Sequence, residues 1–313
     1  MTCRISYRGP LIGAIAAAAL IVTIPAATAQ QAAPAQPAAT AQPATPDSQL
    51  AAAIDEAVKG LDSVPRFKKL SPEKKKQLVE FIIGNTLFVL THELGHGLIN
   101  EMQMPVLGRE EDAADSFAIV TALKMGSTFS DGVLIEAAKG QVFSSKRDKK
   151  EGNPLAFYDE HGLDLQRAYN IVCFMVGAEP EKYTQLANFT KLPEYRQKGC
   201  KYEWENTSWS WEEMLKKNLR GDKPKLDVKV TYEDNKKFAV QEHILKKIGL
   251  LEGIAAHATD RYAWPNQWSV EAKSCGDANA SWRSRKLTLC YELAGYFTEL
   301  FLAFDKTLPK KYR

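Results

Sequence analysis

Histidine and cysteine are both scarce in this chain, five of each in 313 residues, and charge is nearly balanced, with 41 Lys and Arg against 38 Asp and Glu. Each shortage excludes something. A net charge of +3 provides no broad basic field for a polyanion. Lysines do cluster at Lys68, Lys69, Lys74, Lys75 and Lys76, and again at Lys310 and Lys311. Neither interleaved aromatics nor a glycine-rich phosphate loop accompanies them, so they read as a solvated face and a charged tail, and no nucleic-acid partner is expected. No C-x-x-C pair occurs, which argues against zinc held by cysteine. No internal repeat is visible, and the apolar stretch at 11–24 is short for a membrane span.

That stretch follows Arg4 and Arg8 and precedes the small-residue run Ala27-Thr28-Ala29, the pattern of a cleaved export signal over 1–29. Cys3 lies ahead of it and is not placed as a lipid acceptor. Residues 30–48 are Ala, Pro, Gln and Thr without charge until Asp47, a tether that cannot bury a core. The folded part is expected over 49–313, as one large domain or two subregions, 49–220 and 221–313. The expected location is the periplasm or outside the cell, with no stable membrane insertion after cleavage. An oxidising compartment makes disulfides the natural state of Cys173, Cys200, Cys275 and Cys290. Of three possible pairings, Cys173–Cys200 and Cys275–Cys290 are favoured because each closes a short local loop.

Ser71-Pro72-Glu73 starts a helix with a capping hydroxyl, a first-turn proline and an acid at the positive end of the dipole. That helix is expected to run to about residue 102. Further helices are expected over 109–125, 131–143, 164–177, 180–192, the later part of 194–219, 239–257 and 291–306. A polar loop is expected up to Pro154. Alternation marks strands at 226–232, 268–273 and 286–290, the last two around a turn at 276–279. The fold class is mainly α (α+β), with one small sheet.

Because histidines are few, their spacing is informative. Thr91-His92-Glu93-Leu94-Gly95-His96 closes the long apolar run of the first helix. Four positions apart, His92 and His96 share one helical face and can grip one zinc ion, with Glu93 beside them as general base for the attacking water. A catalytic zinc needs a third protein ligand. Gly108-Arg109-Glu110-Glu111-Asp112-Ala113-Ala114-Asp115 begins the next helix, a short loop away. Glu111 is the preferred ligand, with Glu110 and Asp115 as alternatives. Asp115, four residues on, could instead accept the outer N–H of a zinc-bound histidine.

The His-Glu-x-x-His segment followed by Glu111-Asp112-Ala113-Ala114-Asp115 resembles the gluzincins, the zinc peptidases with a glutamate as third ligand. More narrowly, the chain resembles a bacterial family of unknown function described only as metallopeptidases. The match runs from Pro105 through Asp115, then Leu163-Asp164-Leu165-Gln166-Arg167 to Cys173, then Cys275 to Ala280 and Leu289 to Leu293. The resemblance implies a zincin-like helical core around the His-Glu-x-x-His helix, with a small antiparallel sheet.

Oxyanion stabilisation would need another donor. His161 is the chosen candidate, with Tyr158 and Tyr291 as alternatives. His243 and His257 are expected to be structural, and Trp204, Trp209 and Trp211 to be core. The expected function is zinc-dependent hydrolysis of a peptide or protein substrate. The alternatives are a scaffold that binds peptide or envelope partners without cutting them, and a zinc hydrolase acting on a cell-wall amide. Oligomeric state is not readable.

Overall fold

The computed structural model describes residues 46–307. The expected leader, most of the expected tether and the lysines at 310 and 311 lie outside them. In chain order the elements are α1 (Pro46–Leu61), α2 (Pro72–Glu101), α3 (Glu110–Met125), α4 (Thr128–Glu151), α5 (Asp164–Ala178), α6 (Pro180–Phe189) and α7 (Glu194–Leu215). They continue with β1 (Lys229–Tyr232), α8 (Ala239–Ile248), α9 (Leu250–Arg261), β2 (Ser269–Lys273), β3 (Ala280–Arg283), β4 (Lys286–Cys290) and α10 (Tyr291–Phe304). Over the described residues the protein is mainly helical, with one four-stranded sheet.

Helix α2 is the axis of the molecule. The Ser71 hydroxyl accepts from the Lys74 N–H and Pro72 occupies the first turn. Between Leu78 and Ile99 nearly every side chain is buried. A helix apolar on all sides belongs inside a core or a membrane. α2 is long and apolar enough to cross a bilayer, but most of its apolar window is covered by the rest of the domain. One core joins α2 to α1, α8, α9, α10 and the sheet through Leu78, Leu94, Leu98, Leu245, Leu251 and Leu287. The other lies across α3 to α7, around Phe88, Ile119, Leu134, Val172 and Met175. Each fully buried leucine contributes roughly 1.5–3 kcal/mol.

The sheet order is β1-β2-β4-β3. The sheet is mixed, which corrects the antiparallel expectation: β1–β2 and β2–β4 are parallel, and only β3–β4 is antiparallel. The parallel β1–β2 pair is the consequence of its connection, since α8 and α9 carry the chain back between the two strands. Strand β3 was not anticipated. It forms a two-residue hairpin with β4 through Ser284 and Arg285, both at positive φ (53° and 59°), as such tight hairpin turns require.

Other boundaries shift for local reasons. Residues read as a polar loop before Pro154 extend α4 to Glu151, where an Arg147–Glu151 pair lies one turn apart. The helix expected over 239–257 breaks into α8 and α9 at Gly249, whose φ of 67° suits glycine. α1 begins at Pro46, inside the segment read as tether. Disulfides join Cys173 to Cys200, between α5 and α7, and Cys275 to Cys290, across the loop that leads into β3.

Candidate metal centre

The helical repeat of α2 brings the His92 and His96 rings together, with centroids 4.8 Å apart and Nε2 atoms 3.1 Å apart. Helix α3 folds back beside α2 and aims its first turn at the same point. Glu111 Oε2 lies 3.0 Å from His92 Nε2 and 3.3 Å from His96 Nε2. A tetrahedral ion with bonds of about 2.0–2.1 Å separates its ligand atoms by about 3.3 Å. The three donor atoms therefore fit one metal ion.

The outer ring nitrogens are already engaged. His92 Nδ1 donates to Asp115 Oδ1 at 2.8 Å, and His96 Nδ1 donates to Glu110 Oε1 at 2.7 Å. A carboxylate only accepts, so each Nδ1 carries a proton and each Nε2 points its lone pair or second proton at the centre. Asp115 lies one turn beyond Glu111 and is itself gripped by Arg167 of α5, through Nε at 2.7 Å and Nη2 at 2.8 Å. Of the three acids weighed as ligands, only Glu111 faces the Nε2 atoms. Glu110 and Asp115 support the two imidazoles from outside.

His161 arrives from the loop before α5. Its Nε2 is 2.8 Å from Glu111 Oε2, and its ring stacks 5.8 Å from that of His92. Its own main-chain N–H donates to Asp159 Oδ1, which turns the loop inward. Donor atoms of His92, Glu111 and His161 also lie close enough together to hold a metal ion.

Glu93 faces the opposite wall. Its Oε2 accepts the Trp282 N–H of β3 at 2.9 Å. Between the walls lies a cleft of about 610 Å³, floored by the histidines and bounded on one side by residues 278–284.

The electrostatics follow from carboxylates and imidazoles sharing a half-buried space. Burial alone would depress the His92 imidazole, but Asp115 and Glu111 outweigh it and raise its pKa. Burial opposes the charge of His96 too, and Glu111 and Glu110 overcome it, lifting its pKa to about 9. Burial would raise Glu111 and Asp115, yet both are held well below the usual carboxylate range: Glu111 by the three histidines, Asp115 by His92 and Arg167. Glu93 goes the other way. Burial raises it, and the neighbouring histidines and the Trp282 N–H only partly offset that.

The tyrosines weighed with His161 are elsewhere. Tyr158 is 88% exposed and does not line the cleft, and the buried Tyr291 donates its hydroxyl to the Glu233 carbonyl. His257 sits within α9, and His243 packs against Gly60. Trp211 is buried, whereas Trp209 is largely exposed, so that cluster is only partly core. The sequence assigns no site role to Arg167 or Trp282, which the fold brings to Asp115 and Glu93. A buried Asp115 needs a counter-cation, which was a usable hint for an arginine; nothing local pointed to Trp282.

A family model described as "Putative metallopeptidase" matches residues 56–215, just over half of the chain. That span holds both histidines of the motif, Glu93, Glu111, Asp115, His161 and Arg167, and it ends before the sheet. Among curated proteins and among solved structures, nothing matches.

Proposed function

The chain belongs to that metallopeptidase family, and from this premise we propose an exported zinc-dependent peptidase, with His92, His96 and Glu111 as ligands and Glu93 as general base. The observation that carries the proposal is the triangle of donor atoms, 3.0, 3.1 and 3.3 Å on its sides, with both outer nitrogens already bound to carboxylates. Imidazole and carboxylate donors suit zinc. Zinc held there would supply Lewis acidity, acidifying a water and polarising a carbonyl.

The side chains do the rest. Asp115 and Glu110 fix the two imidazoles by accepting hydrogen bonds from their Nδ1–H groups, and Arg167 fixes Asp115. Glu93, its carboxyl raised by burial, takes the proton of the attacking water and returns it to the leaving amine. His161, at the rim of the cleft, donates to the developing oxyanion. A peptide substrate is supported by the position of β3. It is the end strand of the sheet and borders the cleft, so an extended main chain lying in the cleft would run alongside it, next to the Glu93 carboxylate that takes the Trp282 N–H. Export is supported by the two disulfides and by the leader-like N-terminus. Glu93→Gln is expected to retain stoichiometric zinc and lose about 10²–10⁴-fold in peptide hydrolysis; full activity in that variant removes this mechanism.

One observation favours a second reading. With His161 Nε2 only 2.8 Å from Glu111, His161 could be a fourth protein ligand, and a fully protein-coordinated zinc is structural rather than catalytic. The protein would then be a scaffold for peptide or envelope partners. His161→Ala separates the two: unchanged zinc affinity with slower hydrolysis supports the peptidase, and weakened zinc binding supports the scaffold.

A further inference from the structure

Strand β3 meets α2 at a glycine. A Cβ at Gly97 would lie 2.7 Å from the Cδ2 and Cε3 atoms of Trp282, so the indole rests directly on bare helix backbone. Gly97 is one turn beyond Glu93 on the same face of α2. The residue whose ring sits on Gly97 is thus the residue whose N–H binds Glu93 Oε2.

We propose that Trp282 is a positioning residue for Glu93: its ring, seated on Gly97, sets the height of β3 over α2 and so presents the Trp282 N–H to the carboxylate. The base role that this serves rests on the peptidase reading above. Trp282 is braced from behind by Trp264 and Trp268, at centroid distances of 5.4 and 5.3 Å. Both are buried, and the Trp264 indole N–H donates to the Ala258 carbonyl of α9. The two ends of the strand are also tied. On one side Glu101, near the end of α2, accepts from Asn266 at 2.8 Å and pairs with Arg285 of the hairpin turn at 3.3 Å. On the other, Glu292 accepts from Ser274 Oγ and from the Cys275 and Gly276 N–H groups, beside the Cys275–Cys290 disulfide. A strand whose following turn and preceding loop are both tied, and whose middle is seated on Gly97, leaves the Trp282 N–H little freedom. Without it, the Glu93 carboxylate has other rotamers open to it, and its placement relative to the metal ligands is lost.

The test is Gly97→Ala in the zinc-loaded protein, read by hydrogen exchange of the Trp282 amide, zinc stoichiometry, and kcat and KM on a reporter peptide. Exchange at Trp282 is expected to quicken about tenfold or more, as for loss of a hydrogen bond to a charged group. Zinc content should stay at wild type and kcat should fall by up to about 10²-fold with little change in KM. Trp282→Phe, which keeps a ring over Gly97, should recover most of the kcat lost in Trp282→Ala; this pair carries the test if Gly97→Ala does not fold. Wild-type amide protection in Gly97→Ala, or in Trp282→Ala, overturns the proposal. A wild-type protein that cleaves nothing defeats the peptidase reading instead, and the amide measurement still decides whether Trp282 holds Glu93.

Discussion

The two walls of the cleft are built on different physics. The wall from α2, α3 and α5 is ionic: three carboxylates, Glu110, Glu111 and Asp115, and an arginine surround the imidazoles, each group satisfied by the next. The wall from β3 is aromatic: three indoles pack on one another, Trp282 rests on Gly97, and the Trp282 main-chain N–H reaches Glu93. Charges orient a metal ligand within a few tenths of an ångström but respond to pH and to the metal itself. Packing responds to neither. Glu93 stands between, on the ionic helix but bonded to the aromatic strand, so in the proposed mechanism the base would stay fixed while the ligands exchange protons for a metal.

That contrast can be broken from either side, and the effect on the metal should decline in order. Asp115→Asn removes the charge that orients His92, and zinc affinity measured by competition with a chelator should fall about 10–100-fold. Unchanged affinity would mean that the Asp115–His92 contact does not tune the ligand. Next comes pH. The pKa of His96 is raised to about 9, so below that value it is protonated in the metal-free protein and must lose a proton to bind zinc. Apparent zinc affinity should therefore rise by up to about tenfold per pH unit for each proton released, and flatten above about 9; a flat profile from pH 6 to 9 would contradict the pairing of His96 with Glu110 and Glu111. Smallest is the aromatic wall. Replacing Cys275 and Cys290 together by serine opens a loop of sequence separation 15. It should lower stability by about 3 kcal/mol in denaturant titration while leaving zinc affinity unchanged. A loss of affinity there would show that the two walls are not separable.

The ionic wall was largely legible in the sequence because its geometry is local. His92 and His96 are one turn apart on one helix, and so are Glu111 and Asp115, and the helices that carry them are joined by a short turn. Helical spacing alone put these residues on common faces. It could not say which of Glu110, Glu111 and Asp115 faces Nε2, since that depends on how α3 is rotated against α2. The aromatic wall was not legible. Ala280 to Arg283 is four residues with no clear alternation, and it is a strand only because β4 pairs with it and Gly97 admits Trp282. Arg167 reaches Asp115 across 52 residues of sequence. In α1, Leu50, Ile54, Ala57 and Leu61 recur at helical spacing and pack into the core. The composition of the preceding tether obscures that spacing. Three strands of the sheet, β1, β2 and β4, are legible in the sequence, but β3 and the mixed direction are not; the parallel β1–β2 pairing is set by α8 and α9 passing between those strands.

His92, His96 and Glu111 are proposed to form one zinc site. Metal content of the wild-type protein beside His96→Ala, both purified without chelators, tests it most directly. One zinc per chain in the wild type and little or none in the variant is the predicted result. A wild-type protein without stoichiometric zinc, or a variant that binds it equally well, would contradict the claim.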